Sequence, residues 1–223
     1  MEQGIKKSRL FAGMTQEELD SCLTCSGAVM KRYEKNQMIF RQSDRPDRLY
    51  VVAEGQVSVC RDSAMGKRTL VAAFNEAGDL FGEVYVFLEK KEYDYYAVAD
   101  SASRVLEIPG SFLYRSCPNS CIHHTVLIRN MLSILAEKAY YLNQKLQILS
   151  CSSLRRKIAA VLLKSMGPDG KTDLKMNREE LADYLGVARP SLSRELMRMK
   201  EEGLITLSGR RIKVTEPGRL ELL

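Results

Sequence analysis

Residues 177–214 carry two short helical patterns, a tight turn between them and a basic hairpin after them. Asn177 and Glu180 have the spacing of a capping box, in which each side chain accepts a hydrogen bond from the other residue's backbone. Gly186 stands where the turn needs a positive φ angle, and Ala182 is small where the two helices would cross. The pattern predicts a helix-turn-helix.

The two helices share an apolar side, and the second helix has a polar side that carries arginines. The residues predicted to face inward are Leu181, Leu185, Val187, Leu192 and Leu196, and those predicted to face outward are Arg189, Ser191, Ser193, Arg194 and Arg198. A helix-turn-helix lays such a polar helix into the major groove of DNA. The alternative is a helical hairpin with a solvated charged face.

The hairpin after the helices favours DNA over that alternative. Ser208-Gly209 is predicted to form its turn and to present Arg210, Arg211 and Lys213 to the phosphate backbone, where contacts position a protein rather than specify a sequence. The net charge of +6 is concentrated in the same region: residues 151–223 hold 15 Lys and Arg against 10 Asp and Glu, whereas residues 1–150 hold 19 against 18. This asymmetry favours a polyanion partner, because Lys and Arg near phosphates release counterions.

Composition places the chain among globular proteins, with 45% hydrophobic and 28% charged residues. No apolar run approaches the length of a membrane span, and the N-terminus MEQGIKKSRLF lacks the apolar core of a signal peptide. We therefore expect a cytoplasmic protein with no membrane partner, whose six cysteines are mostly reduced thiols.

Strand and turn signals fill the chain from about residue 30 to residue 113. The segments with these signals are residues 38–40, 49–60, 68–74, 95–100 and 103–109. Short strands at regular spacing, with glycines between them, indicate an antiparallel roll of the jelly-roll type. Val57 and Val59 alternate with Gln56 and Ser58, which predicts a strand buried on one face only.

A long helix is predicted from residue 119 to residue 150. Its apolar residues are spaced by 4 and 3 in turn: Ile128, Leu132, Leu135, Ala139, Leu142, Leu146 and Leu149. Such a heptad stripe either pairs with a second copy of the helix or packs on the roll of its own chain. We favour a homodimer, because helix-turn-helix proteins usually read palindromic operators, which demand a two-fold axis. The chain is thus predicted to be α+β, with a roll in residues 1–118, a dimer helix and hinge in residues 119–150, and a DNA reader in residues 151–223.

Three segments in this order resemble the Crp/Fnr superfamily of bacterial transcription regulators. They are GQV at 55–57, FNEAGDLFGE at 74–83 and RPSLSRELMRMKEEGLI at 189–205. The resemblance implies a cyclic-nucleotide-binding-like roll as sensor, a dimerisation helix, a winged helix-turn-helix on an operator in double-stranded DNA, and RNA polymerase as a partner. The sequence shows no Gly-rich phosphate loop, ligand set or triad, so we expect no enzymatic activity.

The resemblance also implies roles for single residues of the DNA reader. Arg194 matches an arginine that contacts guanine, the commonest specific base contact. Ser193 precedes it as in the Fnr-like branch, and Arg189 matches an arginine that touches phosphate or base. Pro190 departs from the family, since it stands where many relatives place a base-reading glutamate and cannot accept a hydrogen bond from cytosine.

An effector pocket is implied in the roll, but not one for cyclic AMP. Gly82 and Glu83 match the pair that meets the ribose, whereas Tyr93-Asp94 stands where the family's Arg-Ser or Arg-Thr pair meets the phosphate. A carboxylate there repels the phosphate, so we expect a different effector. Tyr140 and Asn143 of the long helix complete the expected pocket; either they meet an apolar, aromatic or haem-like ligand, or the tyrosine packs on the roll.

Four residues before and at the start of the long helix offer an alternative. Cys117, Cys121, His123 and His124 suit zinc, haem or redox chemistry, although their spacing matches no standard zinc motif and a structural role is favoured, so no metal site is predicted. The alternative function is therefore a thiol-, haem- or metal-based redox or gas sensor with DNA binding as its output. Cys22 and Cys25 are expected to be structural thiols on a helix rather than iron–sulfur ligands.

Overall fold

The computed structural model describes residues 3–63, 65–114, 122–174, 176–209 and 211–223. Cys117, Cys121 and Arg210, three of the residues singled out above, lie outside these ranges. The chain divides into two units, Met1–Ala136 and Glu137–Leu223.

The strands of the first unit form two four-stranded antiparallel sheets. They are β1 (Val29–Tyr33), β2 (Met38–Phe40), β3 (Arg48–Glu54), β4 (Val57–Asp62), β5 (Arg68–Phe74), β6 (Leu80–Phe81), β7 (Tyr96–Ala99) and β8 (Ser103–Pro109). The sheet orders are β1-β8-β3-β6 and β2-β7-β4-β5, so strands distant in sequence lie side by side. The predicted antiparallel roll is confirmed, and each predicted strand segment overlaps at least one of these strands.

Gly55 makes the turn that joins β3 to β4. Its φ angle is +92°, and a Cβ at this position would collide with the Ser103 hydroxyl. That hydroxyl in turn accepts a hydrogen bond from the Gln56 backbone N–H at 3.1 Å. Only glycine satisfies both the dihedral angle and the close approach.

The prediction that β4 is buried on one face only is wrong. Ser58 and Cys60 are buried together with Val57 and Val59. The Ser58 hydroxyl donates to the Asp100 carboxylate, and Arg68 of the neighbouring strand donates from Nε to the Cys60 thiol at 3.1 Å. The residues that bond to Ser58 and Cys60 thus cover the polar face of β4. The alternation of polar and apolar residues along a single strand cannot reveal such partners.

Aromatic side chains fill the space between the two sheets. Five of them, Phe40, Tyr50, Phe74, Phe81 and Tyr93, are here called the aromatic cluster. Phe40 stacks on Tyr93 with a centroid separation of 3.9 Å, and Tyr50 stacks on Phe81 at 5.1 Å. Such contacts add to the burial of apolar area and make this interior a packed core.

Helices cover the other face of the first sheet. They are α1 (Gln3–Lys6), the 3-10 turn Arg9–Phe11, α2 (Gln16–Ser26), α3 (Glu83–Phe87), α4 (Ser111–Tyr114) and the beginning of α5 (Ile122–Leu149). Leu10, Leu19 and Leu127 from these segments join Leu49 and Leu106 of the sheet in a second core. The helix expected to carry Cys22 and Cys25 is confirmed as α2, which begins with a capping box between Thr15 and Glu18.

One side of α5 is buried and another side carries exposed apolar residues. Leu127, Met131 and Ile134 are buried in the first unit, whereas Leu132, Leu142 and Leu146 of the predicted heptad stripe are 62 to 63% exposed. Ile128 and Ala139 of the stripe are also exposed, and Leu135 and Leu149 are half-buried. No helix in the described part of the chain is long and apolar enough to cross a membrane.

The described residues of the second unit contain the end of α5 and six further elements of regular structure. These are α6 (Leu154–Ser165), α7 (Arg178–Leu185), α8 (Arg189–Glu201), a hairpin of β9 (Ile205–Ser208) and β10 (Arg211–Val214), and α9 (Pro217–Glu221). The helix α5 ends at Leu149, and Ser153 caps α6 by accepting from the Arg156 N–H at 3.2 Å. Ile148, Leu162 and Leu185 meet in the core of this unit.

The buried tyrosines should make the roll sensitive to alkali. Burial raises the pKa of Tyr50 to about 12. The pKa of Tyr33 is raised mainly by burial and, to a smaller extent, by its hydrogen bond to Glu107. Because an unfolded tyrosine has a pKa of about 10, the stability these groups contribute is fully present below about pH 10 and lost as the pH rises towards about 12. Tyrosinate absorbance in a pH titration should show delayed ionisation that disappears in denaturant; identical titration curves with and without denaturant would contradict this.

Candidate nucleic-acid interface

The helix-turn-helix begins at a complete capping box. The Asn177 side chain accepts from the backbone N–H groups of Glu179 and Glu180 at 2.9 and 3.1 Å, and the Glu180 carboxylate accepts from the Asn177 N–H at 2.6 Å. The helix α7 ends at Gly186, whose φ angle is +66° and whose N–H bonds back to the Ala182 carbonyl. Both local predictions for this helix, its cap and its turn glycine, are confirmed.

The predicted apolar side of the two helices is buried. Leu181, Ala182, Leu185, Leu192 and Leu196 are each at most 2% exposed, and Val187 is half-buried against them. Pro190 lies in the first turn of α8, where its missing N–H has no intrahelical partner to lose. This packing fixes which side of α8 faces the solvent.

The exposed side of α8 carries the predicted DNA-reading residues. Arg189, Ser193, Arg194 and Arg198 are exposed, and Ser191 is half-buried. The ion pairs of Arg189 with Glu179 and of Arg198 with Glu195 are long, at 3.8 and 3.9 Å, and Arg194 makes a 3.5 Å hydrogen bond to Ser191. Ion pairs of this length with an exposed guanidinium contribute little, so these guanidinium groups can exchange their partners for phosphate or base acceptors.

The β9–β10 hairpin forms the wing. Ile212 and Val214 are buried, whereas Arg211 and Lys213 alternate with them and are exposed. Ser208 pairs with Arg211 and therefore lies in a strand, not in the turn as predicted; Gly209, at φ +58°, follows it. Arg210 lies outside the described residues, so its predicted role stays a prediction.

The loop between α6 and α7 is joined to the wing, which the sequence did not predict. Lys171 forms a β-bridge with Lys213, and Met166 forms one with Thr172. The Thr172 N–H donates to the Ile212 carbonyl at 3.1 Å. Lys171 lies 2.7 Å from Asp169, which offsets the repulsion of two lysines in opposite positions. Bridges of a single residue pair leave no alternating pattern, so periodicity could not find this contact.

Four of the predicted effector residues lie in the first unit. Gly82, at φ +81°, precedes α3, and a Cβ there would lie 2.8 Å from the Tyr50 ring. Glu83 is buried, and Asp94 is exposed. Tyr93 is 2% exposed and belongs to the aromatic cluster, with its hydroxyl 3.4 Å from the Arg48 carbonyl. The structure therefore brings Gly82 and Tyr93 together around Tyr50.

Tyr140 and Asn143, the two remaining predicted effector residues, lie in the second unit. Both are exposed on α5. The effector pocket as a whole stays a prediction.

The histidines at the start of α5 are set among other side chains. His124 is 6% exposed and stacks on Phe112 with a centroid separation of 4.4 Å. Its Nε2 and that of half-buried His123 have no hydrogen-bond partner in the structure as described. Within the described ranges, no three His, Cys, Asp or Glu side chains are grouped as a metal site requires, and Cys117 and Cys121 lie outside those ranges. Cys22 is buried in α2 and Cys25 is half-buried.

Two helices are packed through their apolar sides, the second exposes arginines, and a basic hairpin follows them. This arrangement defines a winged helix-turn-helix protein. Comparison with protein families agrees with this class. Residues 156–223 match the Crp-like helix-turn-helix domain, and residues 30–119 match the cyclic nucleotide-binding domain.

Similar proteins cover almost the whole chain. The Cyclic AMP receptor protein of Thermus thermophilus is 30% identical over 218 residues, which are 97% of each chain. The Global nitrogen regulator of Synechococcus elongatus is 25% identical over 84% of this chain and 86% of the relative. The crystal structure of the Thermus thermophilus Catabolite Activator Protein superposes with a TM-score of 0.53 at 28% identity, over 96% of this chain and 97% of that one. The chain belongs to the Crp/Fnr family of DNA-binding transcription regulators.

Proposed function

We propose that this protein is a sequence-specific regulator that binds a palindromic operator as a homodimer and responds to an effector other than cyclic AMP. The observation that carries the proposal is the exposed face of α8, where three arginines and two serines project from a helix whose opposite face is fully packed. The proposal includes a cytoplasmic location, contact with RNA polymerase and no enzymatic activity. It also includes the division into sensor roll 1–118, dimer helix and hinge 119–150, and DNA-binding domain 151–223.

Arg194 is the proposed base reader. Its guanidinium is exposed, and its neighbour Ser191 holds it only by a 3.5 Å hydrogen bond, so it is free to reach the O6 and N7 acceptors of guanine. Arg189, Ser191, Ser193 and Arg198 contact the flanking phosphates or bases, and Arg210 and Arg211 of the wing contact the backbone. The proposed base contacts thus come from α8, and the wing adds contacts with the backbone.

The apolar stripe of α5 is the proposed dimer interface. Leu132, Leu142 and Leu146 expose more than half of their surface in the single chain, which is a large apolar area for a helix to leave in water. Their 4–3 spacing is the spacing at which a second helix inserts its own side chains. A parallel pair of such helices has the two-fold symmetry of a palindrome.

The sensor roll is proposed to bind something other than cyclic AMP. The Tyr93 ring occupies the position where the resemblance implies an arginine for the cyclic phosphate, and it is stacked on Phe40. Exposed Asp94 adds a negative charge beside that position. A phosphate entering here would lose its counter-cation and meet a carboxylate, at a cost of several kcal/mol.

Replacing Arg194 with alanine should abolish sequence preference. A duplex is first selected from random sequences by the wild-type protein and compared with a scrambled duplex in a binding titration. Arg194→Ala should cost about 1–3 kcal/mol at one base pair in each half-site of the selected duplex and little on the scrambled one.

The wing residue Arg211 provides the control for that experiment. Arg211→Ala should weaken both duplexes alike and lower the salt slope by about one for each of the two chains. If Arg194→Ala weakened both duplexes equally, its assignment as the base reader would fail.

Charging the stripe should dissociate the dimer. Leu146→Glu removes an apolar contact from each of two helices, about 3 kcal/mol in total, which raises the dissociation constant roughly a hundredfold in sedimentation equilibrium. Gln147→Glu is the matched control, because it adds the same charge at the next, exposed position of α5. Equal dissociation constants for both variants would place the interface elsewhere.

Cyclic AMP should not bind to the roll. Isothermal titration of the full chain should give no saturable heat at micromolar cyclic AMP, because Tyr93 and Asp94 replace the cation for the phosphate. A saturable micromolar interaction would contradict the proposed class of effector.

A further inference from the structure

Arg155 joins the first turn of α6 to α8 and to the residue that caps α8. Its Nε donates to Glu195 at 2.6 Å, and its two terminal nitrogens donate to the two oxygens of Glu202 at 2.8 and 2.7 Å. Glu195 lies in the middle of α8, and Glu202 is its C-terminal cap. One guanidinium therefore holds two carboxylates that are 40 and 47 residues away in sequence.

The geometry requires a guanidinium at this position. Two parallel N–H groups of the guanidinium bind the Glu202 carboxylate, and its Nε–H binds Glu195. The single nitrogen of lysine cannot reproduce this arrangement. The side chains of Arg155 and Glu195 are 27 and 15% exposed, so the pair is partly removed from water. The hydrogen bond to Glu202 and, to a smaller extent, the one to Glu195 raise the pKa of Arg155. The hydrogen bond from Arg155 also lowers the pKa of Glu202.

Both carboxylates stand at unfavourable places for a helix that approaches DNA. Glu195 follows Arg194 directly, and its second oxygen is 3.9 Å from Arg198. Glu202 lies at the C-terminal end of α8, where the helix dipole is already negative. Without a cation beside them, these two groups would attract the DNA-facing arginines and repel phosphate.

We infer that Arg155 is a positioning residue for DNA recognition: it fixes α8 against α6 and neutralises Glu195, so that Arg194 and Arg198 remain directed at the nucleic acid. The inference rests on the proposed function, since it assigns a determinant of specificity to the same DNA-reading helix. It gives Arg155 no contact with DNA, because the guanidinium is fully engaged within the protein.

The test uses Arg155→Gln with Arg156→Gln as its control. Arg156 is the next residue of the same helix, and its guanidinium makes a 3.4 Å hydrogen bond to Ser152 rather than a contact with α8. Both variants lose one positive charge. Arg155→Gln should bind the selected duplex about tenfold more weakly than Arg156→Gln does, because two uncompensated carboxylates then act on the bound phosphates.

A second substitution separates neutralisation from simple loss of structure. Adding Glu195→Gln to Arg155→Gln removes the uncompensated charge of Glu195 without restoring the contact between helices. The double variant should recover to within about threefold of the Arg156→Gln control. Equal binding by the two single variants, or a double variant as weak as Arg155→Gln, would overturn the inference.

Thermal melting followed by circular dichroism checks that each variant is folded at the assay temperature. If Arg155→Gln is unfolded there, Arg155→Lys takes its place: it keeps the charge, loses the fork and should bind about threefold more weakly than wild type. Binding by Arg155→Lys equal to wild type would then overturn the positioning role. A wild-type protein without sequence preference would instead defeat the proposed function itself, so the two failures are distinguishable.

Discussion

The apolar stripe along α5 is the constraint on which the proposed mechanism depends. A helix of 28 residues buries one side in its own chain and leaves leucines on another side in water. Exposed apolar area of this extent is stabilised when a second surface covers it, and the 4–3 spacing of the stripe selects another helix as that surface. Because the helix is identical in every copy, the simplest cover is the same helix of a second chain, related by a two-fold axis.

The proposed pairing along that axis determines how the winged helix-turn-helix would read DNA. A single α8 reads only a few base pairs, whereas two copies related by symmetry read two half-sites in one duplex. The internal contacts of the DNA-binding unit then decide which charges reach the nucleic acid. Arg155 pairs with Glu195 and Glu202. The exposed arginines of α8 therefore have only weak protein partners, which DNA can replace.

Much of this organisation could be predicted from the sequence, because it depends on local patterns. The cap at Asn177, the turn at Gly186 and the strands around Gly55 are each determined by residues a few positions apart. The contacts that were missed join residues far apart in the chain. Ser58 is buried because Asp100 accepts a hydrogen bond from its hydroxyl, the bridge of Lys171 with Lys213 spans two helices and a strand, and Arg155 contacts carboxylates of another helix and its cap. None of these leaves a periodic signal.

The most direct test counts the chains on one duplex. Sedimentation equilibrium compares a selected duplex that carries two half-sites, with centres about 34 Å apart, with a duplex that carries only one. Pairing through α5 predicts two chains on the first duplex and much weaker binding to the second. A complex of one chain with one duplex, formed with equal affinity on both, would contradict it.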